Sequence, residues 1–167
     1  MNYLIGDIGN TNIKICKLNK KFEIINTYLF HTKSPNLNYN LSKKFGSLLK
    51  KNISKNILFS SVVPKVFFMI SKHLKKKKYK VFEIKNFNLK KIMKFNVKNF
   101  SQLGSDRIAN SIAVLNKFKS NCIVIDFGTA TTFDIISKNN IYLGGVIAPG
   151  IKLSIDNLFS STALLPL

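Results

Sequence analysis

The sequence predicts an α/β protein built from two related lobes. Two observations carry this reading. Strand-length apolar runs alternate with helical periodicities along the chain, and a unit of strand, Asp-x-Gly, turn and strand occurs twice, at residues 6–15 and 126–136. A hydrophobic content of 46% over 167 residues allows a packed core.

The chain opens with a strand over 3–8, a tight turn at Gly9-Asn10-Thr11-Asn12 and a returning strand over 13–18, because an Asn/Gly cluster between apolar runs signals a hairpin. A third strand is expected over 22–30, a helix over 41–51, a strand over 56–62, and a helix over 64–74 that starts on a proline. Residues 81–84 read as a short strand, and the Lys/Asn-rich stretch 85–100 as a loop with a short helix. Ile108, Ile112, Leu115 and Phe118 recur at helical spacing over 105–118, with Ser105 placed to cap that helix. The second hairpin follows, with strands over 122–126 and 132–136 around Gly128-Thr129-Ala130. A strand over 142–147 and a helix over 151–159 complete the order βββαβαβ then αβββα. The first lobe is therefore expected at 1–118 and the start of the second at 119–167.

The formal charge of +20 invites a nucleic-acid reading, since clustered lysines neutralise phosphates. The lysines are instead dispersed, with a single run at Lys75-Lys76-Lys77-Lys78, and accompany an excess of Asn, Ile and Phe, so the bias reads as compositional and no nucleic-acid partner is expected. No apolar run approaches the roughly 20 residues that cross a bilayer, and the N-terminus lacks a signal-peptide layout, so no membrane partner and a cytoplasmic location are expected. Cys16 and Cys122 sit in apolar runs without metal-binding spacing and read as reduced core residues.

The scarce residues say more than the common ones. Of seven acidic residues, Asp7, Asp106, Asp126 and Asp134 lie within glycine-bearing segments, and of eight glycines all but Gly46 fall in or beside them. Glycine lets backbone N–H groups approach a ligand and carboxylates hold cations, so this concentration suits a phosphate and metal site. Turn chemistry alone also gathers glycine and aspartate. The repetition of the unit in the same internal order favours the site, with a nucleotide in the cleft between the lobes.

Five segments then carry a resemblance. Asp7-Ile8-Gly9-Asn10-Thr11-Asn12, Ser60-Ser61-Val62-Val63-Pro64, Gly104-Ser105-Asp106-Arg107-Ile108, Asp126-Phe127-Gly128-Thr129-Ala130-Thr131-Thr132, and Tyr142-Leu143-Gly144-Gly145 with Ile147-Ala148-Pro149-Gly150 resemble, in order and spacing, type III pantothenate kinase. The resemblance implies the ribonuclease H-like fold of the actin, Hsp70 and sugar-kinase superfamily, and transfer of phosphate from ATP to pantothenate, the first step of coenzyme A biosynthesis. It also implies a homodimer. By motif, Asp7, Ile8, Gly9, Asn10, Thr11, Asn12, Ile13 and Lys14 correspond to the first ATP-binding hairpin, and Thr129 to an ATP contact in the second. Asp126 corresponds to the ligand of a monovalent cation, potassium or ammonium, and magnesium is implied with the nucleotide. Gly104, Ser105, Asp106 and Arg107 correspond to the pantothenate segment, with Asp106 as general base.

The residues by themselves leave alternatives open. Asp106 in a first helical turn meets the positive dipole end, which suits a proton acceptor and equally a purely structural residue. Arg107 is the only arginine in the chain; its planar guanidinium can grip a substrate carboxylate or pair internally with an aspartate to lock the helix start. Asp134 reads as an ordinary strand or turn residue and is left outside the site. Two positions depart from the family pattern, Val97 where a tyrosine and Phe100 where a proline is usual. The family's chains continue beyond the point matching Leu167, so the second lobe is expected to be incomplete and the terminal apolar residues 163–167 to be exposed or partnered. An inactive or regulatory nucleotide-binding relative, of the accessory transcription factor type, is the alternative function.

Overall fold

The computed structural model describes residues 1–49 and 52–162. By contacts the chain divides into two units, Met1–Phe87 with Gly104–Asp106, and Asn88–Leu103 with Arg107–Leu167.

Alternation builds the first unit. Along β1 (Asn2–Ile8), Leu4, Gly6 and Ile8 are buried and Ile5 and Asp7 exposed. Along β2 (Asn12–Leu18), Ile13 and Ile15 turn inward and Lys14 outward. The hairpin pairs Asp7 with Lys14, so these opposite charges are cross-strand neighbours on the outer face. β3 (Ile24–His31) extends the antiparallel ribbon, and β4 (Ile53–Ser61) and β5 (Lys80–Glu83) add in parallel, giving the order β3-β2-β1-β4-β5. Parallel neighbours need crossovers, here α1 (Leu37–Leu48) and α2 (Pro64–Lys76). Leu37, Leu41, Phe45 and Leu48 of α1, with Ile70 and Leu74 of α2, meet Leu4, Ile8, Ile13 and Ile15 in one buried cluster. Helix α1 starts at Leu37, four residues before the expected start, because the apolar stripe already begins there although Asn38 and Asn40 obscure it. Its expected end at 50–51 lies outside the described residues. The run Lys75 to Lys78 is exposed at the C-terminal end of α2, where lysines favour the negative dipole end.

The second unit contains a four-stranded sheet in the order β6-β9-β8-β7, from β6 (Lys94–Phe95), β7 (Cys122–Phe127), β8 (Ala130–Ser137) and β9 (Ile141–Pro149). The antiparallel run β7-β8-β9 repeats β1-β2-β3, followed by α4 (Ile151–Ser161) as α1 follows β3. Strand β6 was not anticipated. It pairs in parallel with β9, which explains why the segment from Asn88 belongs to this unit. Elsewhere the stretch between β5 and α3 (Ser105–Phe118) forms short 3-10 turns at Ile84–Asn86, Leu89–Lys91 and Phe100–Gln102. Cys16 is buried as expected, whereas Cys122 is only partly covered; both thiols are free.

Strand β9 contains a bulge. Its register against β8 shifts between Ile135 and Ile136, so that Tyr142 faces Ile136, Gly144 faces Ile135, and Leu143 is extra. Gly144 absorbs the distortion at φ +125°, a backbone conformation that favours glycine. Because one inserted residue flips every later side chain, Tyr142 and Gly145 end on the same sheet face as Asp134 although three positions apart.

Candidate active site

In the first unit the Asp-x-Gly hairpin is held by its own backbone and by the residue after β3. The Gly9 amide donates to the Asn12 carbonyl at 2.9 Å, the Thr32 amide to the Thr11 carbonyl at 2.9 Å, and Thr32 Oγ1 to the Gly9 carbonyl at 2.8 Å. Asp7, Asn10, Thr11, Asn12 and Lys14 are exposed, while Ile8 and Ile13 are buried in the core. Of the residues expected to contact ATP, the two isoleucines thus anchor the hairpin from the core and are not exposed to a ligand. Asp7 pairs across to Ser60 of β4, whose hydroxyl is buried with no hydrogen-bond partner among the described residues.

The Gly104–Asp106 segment joins the same end of this sheet. The Val62 amide donates to the Ile8 carbonyl at 3.0 Å, extending the β1–β4 ladder beyond the strand ends. A methyl group on Gly104 would lie 3.5 Å from Val62 Cγ1 and overlap the Asp106 carboxylate, so glycine alone leaves that carboxylate its place. In open α/β sheets ligands commonly bind outside the carboxyl ends of the strands. Helix α3 begins at Ser105 itself, so the capping position expected for Ser105 falls on Gly104, and Asp106 lies in the first turn.

In the second unit the corresponding hairpin is braced by α3. The Gly128 amide donates to the Ala130 carbonyl at 3.1 Å, and the Gly150 amide to the Thr129 carbonyl at 3.1 Å, leaving Thr129 exposed. Asn110 Nδ2 donates to Asp126 Oδ2 at 2.9 Å. Thr132, paired across the hairpin with Asp126, has a buried hydroxyl with no hydrogen-bond partner among the described residues. Asp126 and Thr132 thus bring two oxygen-bearing side chains to one register position, the ligand type that a hard cation takes. Among the described residues there is no cluster of three or more His, Cys, Asp or Glu side chains, as a transition-metal site would need.

Arg107 turns to Asp134. Its Nε donates to Asp134 Oδ1 at 2.7 Å and its Nη2 lies 2.7 Å from the same oxygen; the arginine side chain is 11% exposed and the aspartate 0%. The Tyr142 hydroxyl donates to that oxygen at 2.5 Å. Burial first, and then the bond to Asp134, raise the Tyr142 phenol far above its usual range, so it stays protonated. Asn110, Asp134 and Tyr142 are additions to the residues read from the sequence. One signal was available for Asp134: a carboxylate between Phe133 and Ile135 in an apolar strand is a buried charge that needs a partner.

The model of the type III pantothenate kinase family matches residues 3–167. The type III pantothenate kinase of Pelagibacter ubique (strain HTCC1062) is 48% identical over 165 residues, covering 98% of this chain and 65% of that one. That of Sulfurihydrogenibium sp. (strain YO3AOP1) is 40% identical over 169 residues, covering 98% and 66%. The chain therefore spans just under two thirds of the length of these curated relatives. Among solved structures, the Ppx/GppA phosphatase of Aquifex aeolicus superposes with a TM-score of 0.55 at 12% identity, covering 99% of this chain and 56% of that one. The activator of 2-hydroxyisocaproyl-CoA dehydratase from Clostridium difficile, with bound ADPNP, gives 0.52 at 13% identity, covering 89% and 46%. These likenesses place the chain in the actin-like ATPase and sugar-kinase fold that the motifs implied.

Proposed function

The chain belongs to the type III pantothenate kinase family, and from that premise we propose that it takes part in ATP-dependent phosphorylation of pantothenate to 4'-phosphopantothenate, the first step of coenzyme A biosynthesis. The observation that carries the reading is the Gly104–Asp106 segment, held at the carboxyl ends of β1 and β4 with Asp106 in the first turn of α3.

In this reading Asp106 accepts the proton of the pantothenate primary hydroxyl as its oxygen attacks the γ-phosphorus of ATP, and the bond from that phosphorus to the bridging oxygen breaks to release ADP. The exposed polar groups of the first hairpin, Asn10, Thr11, Asn12 and Lys14, together with its backbone amides, hold phosphate oxygens, and Thr129 adds a contact from the second. Gly104, Ser105 and Arg107 bind pantothenate. The Asp126 carboxylate and Thr132 hydroxyl would hold a monovalent cation, potassium or ammonium, and exposed Asp7 the magnesium that accompanies ATP. Both ions would supply positive charge against the phosphates. Family membership also supports a homodimer in the cytoplasm. Among the described residues no helix is long and apolar enough to cross a membrane.

With ATP, magnesium, potassium and pantothenate, the purified chain is expected to form 4'-phosphopantothenate, detected by mass, and Asp106→Asn to form it about 10²- to 10⁴-fold more slowly. Nucleotide binding without product from the wild type overturns the kinase reading in favour of a nucleotide-binding regulatory relative.

A further inference from the structure

We propose that Asp134, supported by Tyr142 and Gly145, is the positioning residue for Arg107, holding its guanidinium in the one orientation from which it receives the carboxylate of the acceptor substrate. The proposal rests on the reading of Arg107 as a pantothenate-binding residue and assigns a role to the Tyr142-Leu143-Gly144-Gly145 segment.

Three features converge. First, the interaction is costly if it serves only to stabilise the fold. Asp134 is fully buried, Oδ1 accepts from Arg107 Nε and the tyrosine hydroxyl with Nη2 2.7 Å away in the ion pair, and Oδ2 is buried with no hydrogen-bond partner among the described residues. A buried ion pair of this kind is often matched or bettered in stability by well-packed apolar side chains, so its use points to orientation of the charge. Second, the backbone is distorted to make room. A methyl group on Gly145 would overlap the Phe133 carbonyl and Arg107 Nη2, and lie 3.0 Å from Asp134 Oδ1. The bulge at Leu143 and the positive φ of Gly144 bring both Gly145 and Tyr142 to this face. Third, the grip is specific to a guanidinium. Its Nε and Nη2 lie on one edge of a rigid plane, so fixing that edge fixes the direction of the whole plane, which a lysine ammonium does not allow.

Because the protein has a single arginine, its Nε–H gives one resonance in a sample labelled with 15N-arginine. The wild type is expected to show a slowly exchanging Nε–H signal that shifts on addition of pantothenate. Asp134→Asn is expected to speed that exchange, raise the pantothenate Kd about 10- to 100-fold and leave the ATP Kd unchanged, since a small misplacement of a binding group carries a penalty of that order. A variant that loosens the arginine yet binds pantothenate as the wild type does overturns the positioning role and leaves only a structural lock. A rapidly exchanging wild-type Nε–H also overturns it. If the wild-type Nε–H is protected but no pantothenate binds, the substrate reading of Arg107 has failed, and positioning for that substrate fails with it. Should Asp134→Asn not fold, Tyr142→Phe keeps the ion pair and the ring. Faster Nε–H exchange and weaker pantothenate binding at unchanged ATP binding then support the proposal, and unaltered values for both contradict it.

Discussion

The two Asp-x-Gly hairpins differ in what lies beneath them. Under β1–β2, Ile8 and Ile13 are fully buried against the apolar faces of α1 and α2, and Thr32 ties the turn. In β7–β8 one face exposes Ile123, Ile125 and Phe127 at 66%, 49% and 67%, while the other is held by polar contacts from α3, Asn110 to Asp126 and Arg107 to Asp134. The same motif therefore rests on an apolar cluster in one unit, whereas in the other partly buried polar pairs from α3 join the apolar contacts. Substitutions beneath the first hairpin should act on stability, and those beneath the second on the orientation of charged groups.

The sharpest break in the comparison concerns α3, which braces the second hairpin and carries the proposed base in its first turn. Asp106→Asn should lower phosphoryl transfer by about 10²- to 10⁴-fold while both hairpins stay folded, as read by product formation alongside circular dichroism. A comparable loss of folded structure would make Asp106 a structural residue.

Next in size is the contrast within the hairpins themselves. Ile13→Ala should destabilise by about 2–5 kcal/mol, since it opens a cavity in a closed core. The half-exposed Ile125→Ala should change stability by only about 0.5 kcal/mol. Denaturant titration measures both, and equal effects would erase the distinction drawn here.

Gly104→Ala comes third. The added methyl displaces the Asp106 carboxylate without entering the buried cluster, so transfer should fall about 10- to 100-fold with the melting temperature nearly unchanged.

The smallest effect comes from the titratable group in the first unit's apolar foundation. His73 Nδ1 lies 3.3 Å from Ser42 Oγ and its ring stacks on Phe45; burial, then Lys77 and Lys76, lower its pKa. The folded state thus resists protonation more than the unfolded chain does. Its contribution to stability is present above the unfolded value of about 6.5 and is lost as pH falls below it, down to the depressed native value. Melting temperatures between about pH 8 and pH 5 should therefore drop on the acid side, and His73→Gln should flatten that part of the profile.

Much of this was legible because it is local. The Gly/Asn cluster of the first turn, period-two alternation and the proline that opens α2 mark their elements within a few residues, and the Asp-x-Gly segments stand out against a background poor in both residue types. The rest depends on partners distant in sequence. β6 is two residues long and exists because β9 pairs with it; the bulge at Leu143 leaves no trace in apolar periodicity. Asp134 was set aside because a lone carboxylate beside a turn looks ordinary until Arg107, 27 residues earlier, is seen against it. The arginine is paired internally, and the pair is proposed to aim it.

Phosphate transfer from ATP to pantothenate by this chain is a proposal that one reaction tests directly. The most direct measurement is a single-turnover reaction with ATP labelled at the γ-phosphate, enzyme in excess, and magnesium and potassium present. Label is expected in 4'-phosphopantothenate with the wild type and, over the same interval, to stay in ATP with the slower Asp106→Asn. Label found only in inorganic phosphate, at the same rate with and without pantothenate, would contradict it.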